Sequence, residues 1–149
     1  MKKIIWDGLE KLFEEFPFMK ADPVLLEEEI VETEKKLGVR FASDYKEFIQ
    51  KYGGAIVGPF PIYGLRHADP MDDELWSVAE VTMHYRNEGW PCVNDLYIIS
   101  SDHSDNPVGI RNDGQVISYD HDLGEAFEIA KSFEVYLAHC LGIEKSKID

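Results

Sequence analysis

LGVRFASDYKEFIQKYGG, residues 37–54, is the stretch from which the fold of this chain is read. Gly38 suits the position just past a helix, where a left-handed residue closes the last turn without a Cβ penalty. After a short extended link, Ser43 can cap a new helix by accepting an orphan backbone N–H. Tyr45, Phe48, Ile49 and Tyr52 then recur at three- and four-residue spacing and make one apolar face. Gly53 and Gly54 stop that helix and turn the chain toward an extended segment. The unit is built for packing: it holds no nucleophile with a base, no metal-ligand pair and no phosphate cradle.

Upstream, Asp22-Pro23 makes an N-cap and first-turn pair. The periodicity predicts a helix from there to Leu37, with Leu26, Ile30, Thr33 and Leu37 facing inward. Its glutamates, Glu27 to Glu29 among them, suit a solvated face near a helix N-terminus better than a cation site, whose ligands must converge. A first helix is predicted over 3–16, with Ile5, Leu9, Leu12, Phe13 and Phe16 on one side and Pro17 ending it. Downstream, Pro59 and Pro61 restrict residues 55–65 to an edge strand or one starting near Phe60. An acidic loop, residues 69–74, leads into a helix over about 75–87 with Trp76, Ala79 and Met83 inward. Leu96 to Ser100 is a strand, and Val108–Ile110 and Val116–Tyr119 form a hairpin through Asn112-Asp113-Gly114. Asp122 with Glu125 resembles a capping box, predicting a final helix that carries Phe127, Ala130, Phe133, Leu137 and Leu141 to Gly142. Helices, then antiparallel strands, then a closing helix give an α+β class. The expected architecture is one domain over 1–149, a mostly antiparallel sheet with helices packed on one side.

A chain of 149 residues with 44% apolar content can bury a core without staples. Cys92 and Cys140 make no disulfide framework, and are most simply small hydrophobes. The N-terminal apolar run is broken by Asp7, Glu10 and Glu14, as in an amphipathic helix and unlike a secretory signal. No apolar run approaches a membrane span, which fits a soluble cytoplasmic protein. The net charge of −14 is uneven: residues 66–125 hold 3 basic and 13 acidic side chains, a net of −10. Such a field repels phosphate backbones and attracts a basic partner, though on composition alone surplus acid that keeps the chain soluble is the simpler reading.

Asp102-His103-Ser104-Asp105 and Asp120-His121-Asp122 mix carboxylate and imidazole, as transition-metal and acid–base sites do. Neighbours on a strand point to opposite faces, so loop solvation and helix capping explain these aspartates more simply. Ser100 and Ser101 lack a nucleophile elbow, and Gly53 to Gly58 lacks the P-loop lysine. Trp76, Trp90, Tyr63 and Tyr85 could stack bases, but the surrounding charge has the wrong sign; some are expected in the core, and one or two as exposed anchors that fit a protein partner.

Taken together, Glu34, Leu37-Gly38, Asp44-Tyr45, Phe48 and Gly53-Gly54 resemble, in order and spacing, the pattern of the SUKH superfamily. That superfamily groups bacterial immunity proteins with fungal cell-wall glucan-synthesis regulators of the Smi/Knr type. Ile62-Tyr63-Gly64, Val116 to His121, and Ala130-Lys131-Ser132-Phe133 with Leu137 are similar to its later segments. Phe41-Ala42 departs from the usual leucine-proline. The resemblance implies an α+β domain with no catalytic residues, cofactor or metal, commonly an immunity protein that neutralises a toxin domain. Many such toxins are nucleases with basic surfaces, to which the acidic loops are the electrostatic complement. Asp69, Asp72, Asp73, Glu74, Trp76, Asp102, Asp105, Asp120 and Asp122 are the expected partner-binding residues. A scaffold or regulatory module for an endogenous protein is the alternative, and a hydrolase using His103 and His121 a third.

Overall fold

The computed structural model describes residues 1–148. Helix α1 (Lys3–Glu15) turns Ile5, Leu9 and Phe13 inward, four residues apart. Helix α2 (Glu27–Leu37) closes at Gly38, φ +69°. Helix α3 (Ser43–Tyr52) buries Tyr45, Phe48, Ile49 and Tyr52 and stops at Gly53, φ +75°. Both left-handed ends stand where the 37–54 stretch puts them. The link between the two helices is held by side chains: Glu34 accepts the Phe41 N–H at 2.7 Å, and the Tyr97 hydroxyl accepts that of Ala42 at 2.9 Å.

Two helix starts differ from expectation. Helix α2 begins at Glu27, so Asp22-Pro23 does not cap it, and Leu26 stands exposed at its N-terminus. Residues 20–24 instead run along the end of α3, where Gly54 and Gln50 carbonyls accept the Ala21 and Val24 N–H groups at 2.9 and 3.2 Å. Tertiary acceptors outweigh the local cap. Ser43 is the first residue of α3 and makes no capping bond. Asp44 does the tying: its carboxylate accepts the N–H of Tyr45 and that of Glu134, each at 2.9 Å.

Strands β1 (Ala55–Val57) and β2 (Phe60–Ile62) pair as a short hairpin. The chain beyond β2 stays against the main sheet, with Tyr63 N–H donating to Ile99 O at 2.8 Å. Helix α4 (Val78–Asn87) starts later than expected, capped by Ser77, and buries Val78, Val81 and Thr82 fully, while Ala79 and Met83 pack half-buried against the core. The sheet dictates that face. Thr82 Oγ1 accepts the Ile98 N–H at 2.8 Å, and the Arg86 guanidinium donates to Leu37 O and Leu96 O at 2.8 and 3.0 Å. Helix α4 thereby satisfies backbone groups that an open strand edge would leave to water.

Strands β3 (Tyr97–Ser101), β4 (Pro107–Ile110), β5 (Val116–Asp120) and β6 (Glu125–Ala130) form one antiparallel sheet in that order. The Asp113-Gly114 hairpin joins β4 to β5 as expected. Strand β6 is a correction, because the periodicity puts a helix there. Asp122 and Glu125 form no capping box. Asp120 Oδ1 instead accepts the N–H groups of Asp122 and Leu123, at 2.9 and 3.1 Å, and turns the chain back. Helix α5 (Phe133–Cys140) starts only after Ser132, whose hydroxyl accepts the Val135 N–H. The open edge of β5 offers a ladder of main-chain bonds, which a helix over 125–130 would leave unmade.

Alternation along the strands divides the interior. Tyr97, Ile99, Val108, Ile110 and Val116 face a large core shared with α1, α2, α3 and α5. Ile98 and Ile117 face a small second cluster with Val81, Val93 and Leu96. In the large core the Tyr45 ring lies 5.1–5.5 Å from those of Phe41, Tyr97 and Phe133, and its hydroxyl donates to Tyr63 O.

Candidate functional site

The small cluster is roofed by rings. Tyr63, Tyr85 and Trp90 pack on it, each partly exposed. Trp90 meets Tyr85 edge-on at 4.9 Å, and its other contacts are Tyr119 at 5.9 Å and His121 at 5.8 Å. Residues far apart in the chain thus form one continuous aromatic strip. Each ring is braced by its neighbours, which leaves little side-chain entropy to lose on binding.

Around this strip stand three acidic segments. Asn106, buried in the loop after β3, joins two of them: its Nδ2 donates to Asp102 Oδ2 at 3.2 Å, and its Oδ1 accepts the His121 N–H at 3.1 Å. The loop bearing Asp102 and Asp105 is thereby tied to the turn bearing Asp120 and Asp122. The third segment, before α4, lies near enough to Tyr63 for the Asp72 charge to act on it, and the Tyr63 hydroxyl donates to Ser101 Oγ at 3.2 Å, at the foot of the loop bearing Asp102. Burial raises the Tyr63 pKa, and the charges of Asp72 and Asp105 raise it further. Tyr85 is pushed up to about 12, first by burial, then by Tyr63, Asp105, Glu88 and Asp102. Two hydroxyls therefore sense carboxylates of separate loops.

The expected partner-binding residues divide by what their carboxylates already do. Asp72 accepts the Glu74 and Leu75 N–H groups, both at 2.8 Å, and these bonds hold its pKa low. Asp102 accepts the Ser104 and Asn106 N–H groups at 2.9 Å, and Asp120 caps its own turn. These three carboxylates shape the loops that carry them. Asp73 and Asp122 stand outward beside His67 (3.9 Å) and His121 (3.4 Å). Asp69, Glu74 and Asp105 are exposed and make no side-chain hydrogen bond among the described residues. Trp76 lies apart from the strip: it packs on His67 and lines a groove of about 370 Å³ with Glu29, Glu32 and Lys36 of α2.

His103 stacks on Phe60 and His121 pairs with Asn106, so the two histidines serve different contacts. The Ser100 hydroxyl donates to Pro61 O and accepts from Tyr136. Among the described residues no three His, Cys, Asp or Glu side chains gather where they could hold a cation. No helix is long and apolar enough to cross a membrane. Asn106 and Tyr119 escaped the sequence reading, because a buried asparagine in a polar loop and an aromatic in a strand have no local signature.

The roles of the motif residues are now visible: Glu34 fixes the interhelical link, Asp44 joins α3 to α5, and Ser132 caps α5. No curated protein matches the chain. The family SUKH_5, described as SMI1-KNR4 cell-wall, matches residues 5–142. With nearly the whole chain spanned by that match, the protein belongs to this SMI1-KNR4 family of the SUKH superfamily.

Proposed function

We propose that this protein is a non-enzymatic immunity protein, which acts in the cytoplasm by binding a toxin domain with a basic surface and occluding it. The observation that carries this reading is the gathering of three sequence-distant acidic segments around one rigid aromatic strip. Tyr and Trp anchors flanked by charge are what high-affinity protein interfaces use. The carboxylates speed the encounter and exclude acidic partners, and the rings supply the contact that slows dissociation. Nuclease toxins fit as partners, since they present cations to phosphate.

The test is co-expression with the toxin domain encoded by the neighbouring gene. Restored growth and a stable complex on size exclusion are expected; undiminished toxicity with no complex overturns the reading. The words "cell-wall" in the family description favour a second reading, a regulatory module for an endogenous protein. Under that reading the chain is recovered with a host protein whether or not a toxin gene is adjacent.

A further inference from the structure

Trp90 is the central ring of the aromatic strip, and it is partly exposed. Its ring neighbours Tyr85, Tyr119 and His121 stand at 88°, 76° and 65° to it, so none of them is stacked on its face. The indole Nε1–H donates to Glu88 Oε2 at 3.3 Å, which puts a carboxylate at the edge of the ring. A second carboxylate, that of Asp122, lies 3.4 Å from His121 Nε2. The sheet extends the same face, because Ala126 is the cross-strand partner of Tyr119 and Glu128 that of Ile117. Strand β6 therefore adds a small side chain beside the rings and a third carboxylate beyond it.

The chain's own cations are committed elsewhere. Residues 66–125 hold three basic side chains, all arginines. Arg66 pairs with Glu29 at 2.6 Å, Arg111 pairs with Asp113 at 3.0 Å, and Arg86 donates to Leu37 O and Leu96 O. Among the described residues no lysine or arginine meets Glu88 or Asp122, whose ionic neighbours are the imidazoles of His84 and His121. Burial comes first in keeping the Tyr85 hydroxyl protonated, and Asp105, Glu88 and Asp102 add to it, so the field along the strip is negative. An electron-rich ring bordered by carboxylates without a cation selects its occupant. An apolar side chain laid there would desolvate Glu88 and give it nothing in return, and an acidic one is repelled. A guanidinium is planar, weakly hydrated and always charged, so it can lie on an indole while donating to a carboxylate at the ring edge. A lysine ammonium is a compact, strongly hydrated point charge and fits this geometry less well.

We propose that the aromatic strip seats an arginine of the protein partner, whose guanidinium lies on Trp90 and donates to Glu88. Asp122 and Glu128 are outer charges that draw it in. The inference deepens the proposed function, and rests on the reading of the chain as a protein-binding module.

The probe is the capped peptide Gly-Arg-Gly, titrated into the isotope-labelled protein at physiological ionic strength, where the diffuse field is screened. The indole Nε1–H resonance of Trp90 reports on the seat, and a saturable shift is expected there. The citrulline peptide, which keeps the shape of arginine and drops its charge, should bind about tenfold more weakly, with the lysine peptide between the two. Glu88→Gln still offers the indole an acceptor, so the ring keeps its place. That variant should weaken the arginine peptide about tenfold and leave the citrulline peptide unchanged. Equal binding of either control peptide, no saturable shift of the Trp90 indole, or full binding by Glu88→Gln overturns the proposal. Shifts confined to loops 66–77 and 101–106 also overturn it, because the cation then reads carboxylates without the ring. The toxin test separates the two readings. If Glu88→Gln loses the arginine peptide yet binds and neutralises the toxin with native affinity, the arginine seat falls and the immunity reading stands. If the native chain ignores the toxin while the peptide docks on Trp90, the reverse holds.

Discussion

At Gly53 a single hydrogen atom in place of a methyl group decides whether the chain can close. A Cβ there would lie 1.9 Å from Asp22 O and 2.7 Å from the Arg66 side chain, at φ +75°. The Gly53 carbonyl itself accepts the Leu65 and Arg66 N–H groups, so backbone from three segments meets at this point. Gly53→Ala should therefore destabilise by about 2–4 kcal/mol, strain and overpacking together. Gly38, also left-handed, has nothing within 4 Å of its virtual Cβ, and Gly38→Ala should lose only about 1 kcal/mol. Chemical denaturation of the two variants checks the contrast; equal losses would mean that the close approach is unimportant. A second prediction concerns Tyr85. Its folded pKa of about 12 exceeds the ordinary value of 10, so the neutral hydroxyl contributes its full share to stability below pH 10. That share is lost as pH rises from 10 to about 12, because the unfolded chain ionises first. The denaturation midpoint should fall across that window, and Tyr85→Phe should flatten the fall. The four-residue spacing of Tyr45, Phe48, Ile49 and Tyr52 made the α3 core legible from sequence. The charges of Asp72, Asp102 and Asp105 that act on Tyr63 and Tyr85 were not, since those aspartates stand 9 to 42 residues away in the chain.

At the scale of elements, α4 works as the cover of the β3 edge. Thr82→Val keeps the side-chain volume but leaves the Ile98 N–H without its acceptor. The expected loss is about 1–3 kcal/mol, with faster hydrogen exchange at Ile98 as the local signature. Unchanged exchange at that amide would show that α4 packs there without satisfying the edge. Arg86 belongs to the same cover; burial lowers its pKa, and its Nε has no partner among the described residues. Helix starts were the least legible feature. Asp22-Pro23 and Asp122 with Glu125 are sound local caps, yet neighbouring strands and carbonyls offered the backbone better partners. Residues 125–130 carry apolar side chains at spacings that either period accepts, so only the presence of β5 could choose between strand and helix.

On the scale of the whole molecule most of the surplus acid, −10 of a net −14, belongs to residues 66–125. Lys-for-Asp replacement at Asp73, Asp105 and Asp122, which spares the three capping aspartates, should leave the fold intact. It should slow association with a basic partner on the order of tenfold at low salt, with little change in dissociation. Rising ionic strength should shrink the difference, as screening removes what the carboxylates add. Stopped-flow binding at two salt concentrations measures both, and a salt-independent rate would show that steering plays no part. By itself the sequence determined the α+β class, the 37–54 helix pair and the β4–β5 hairpin, because periodicity and turn chemistry act over a few residues. It also located the surplus acid in 66–125, since charge is countable without a fold. Only the tertiary structure decided that Asn106 ties two acidic loops together and that Trp90 joins their aromatic strip. It alone made 125–130 a strand with an open edge, because each of these depends on partners distant in the chain whose approach no local pattern records.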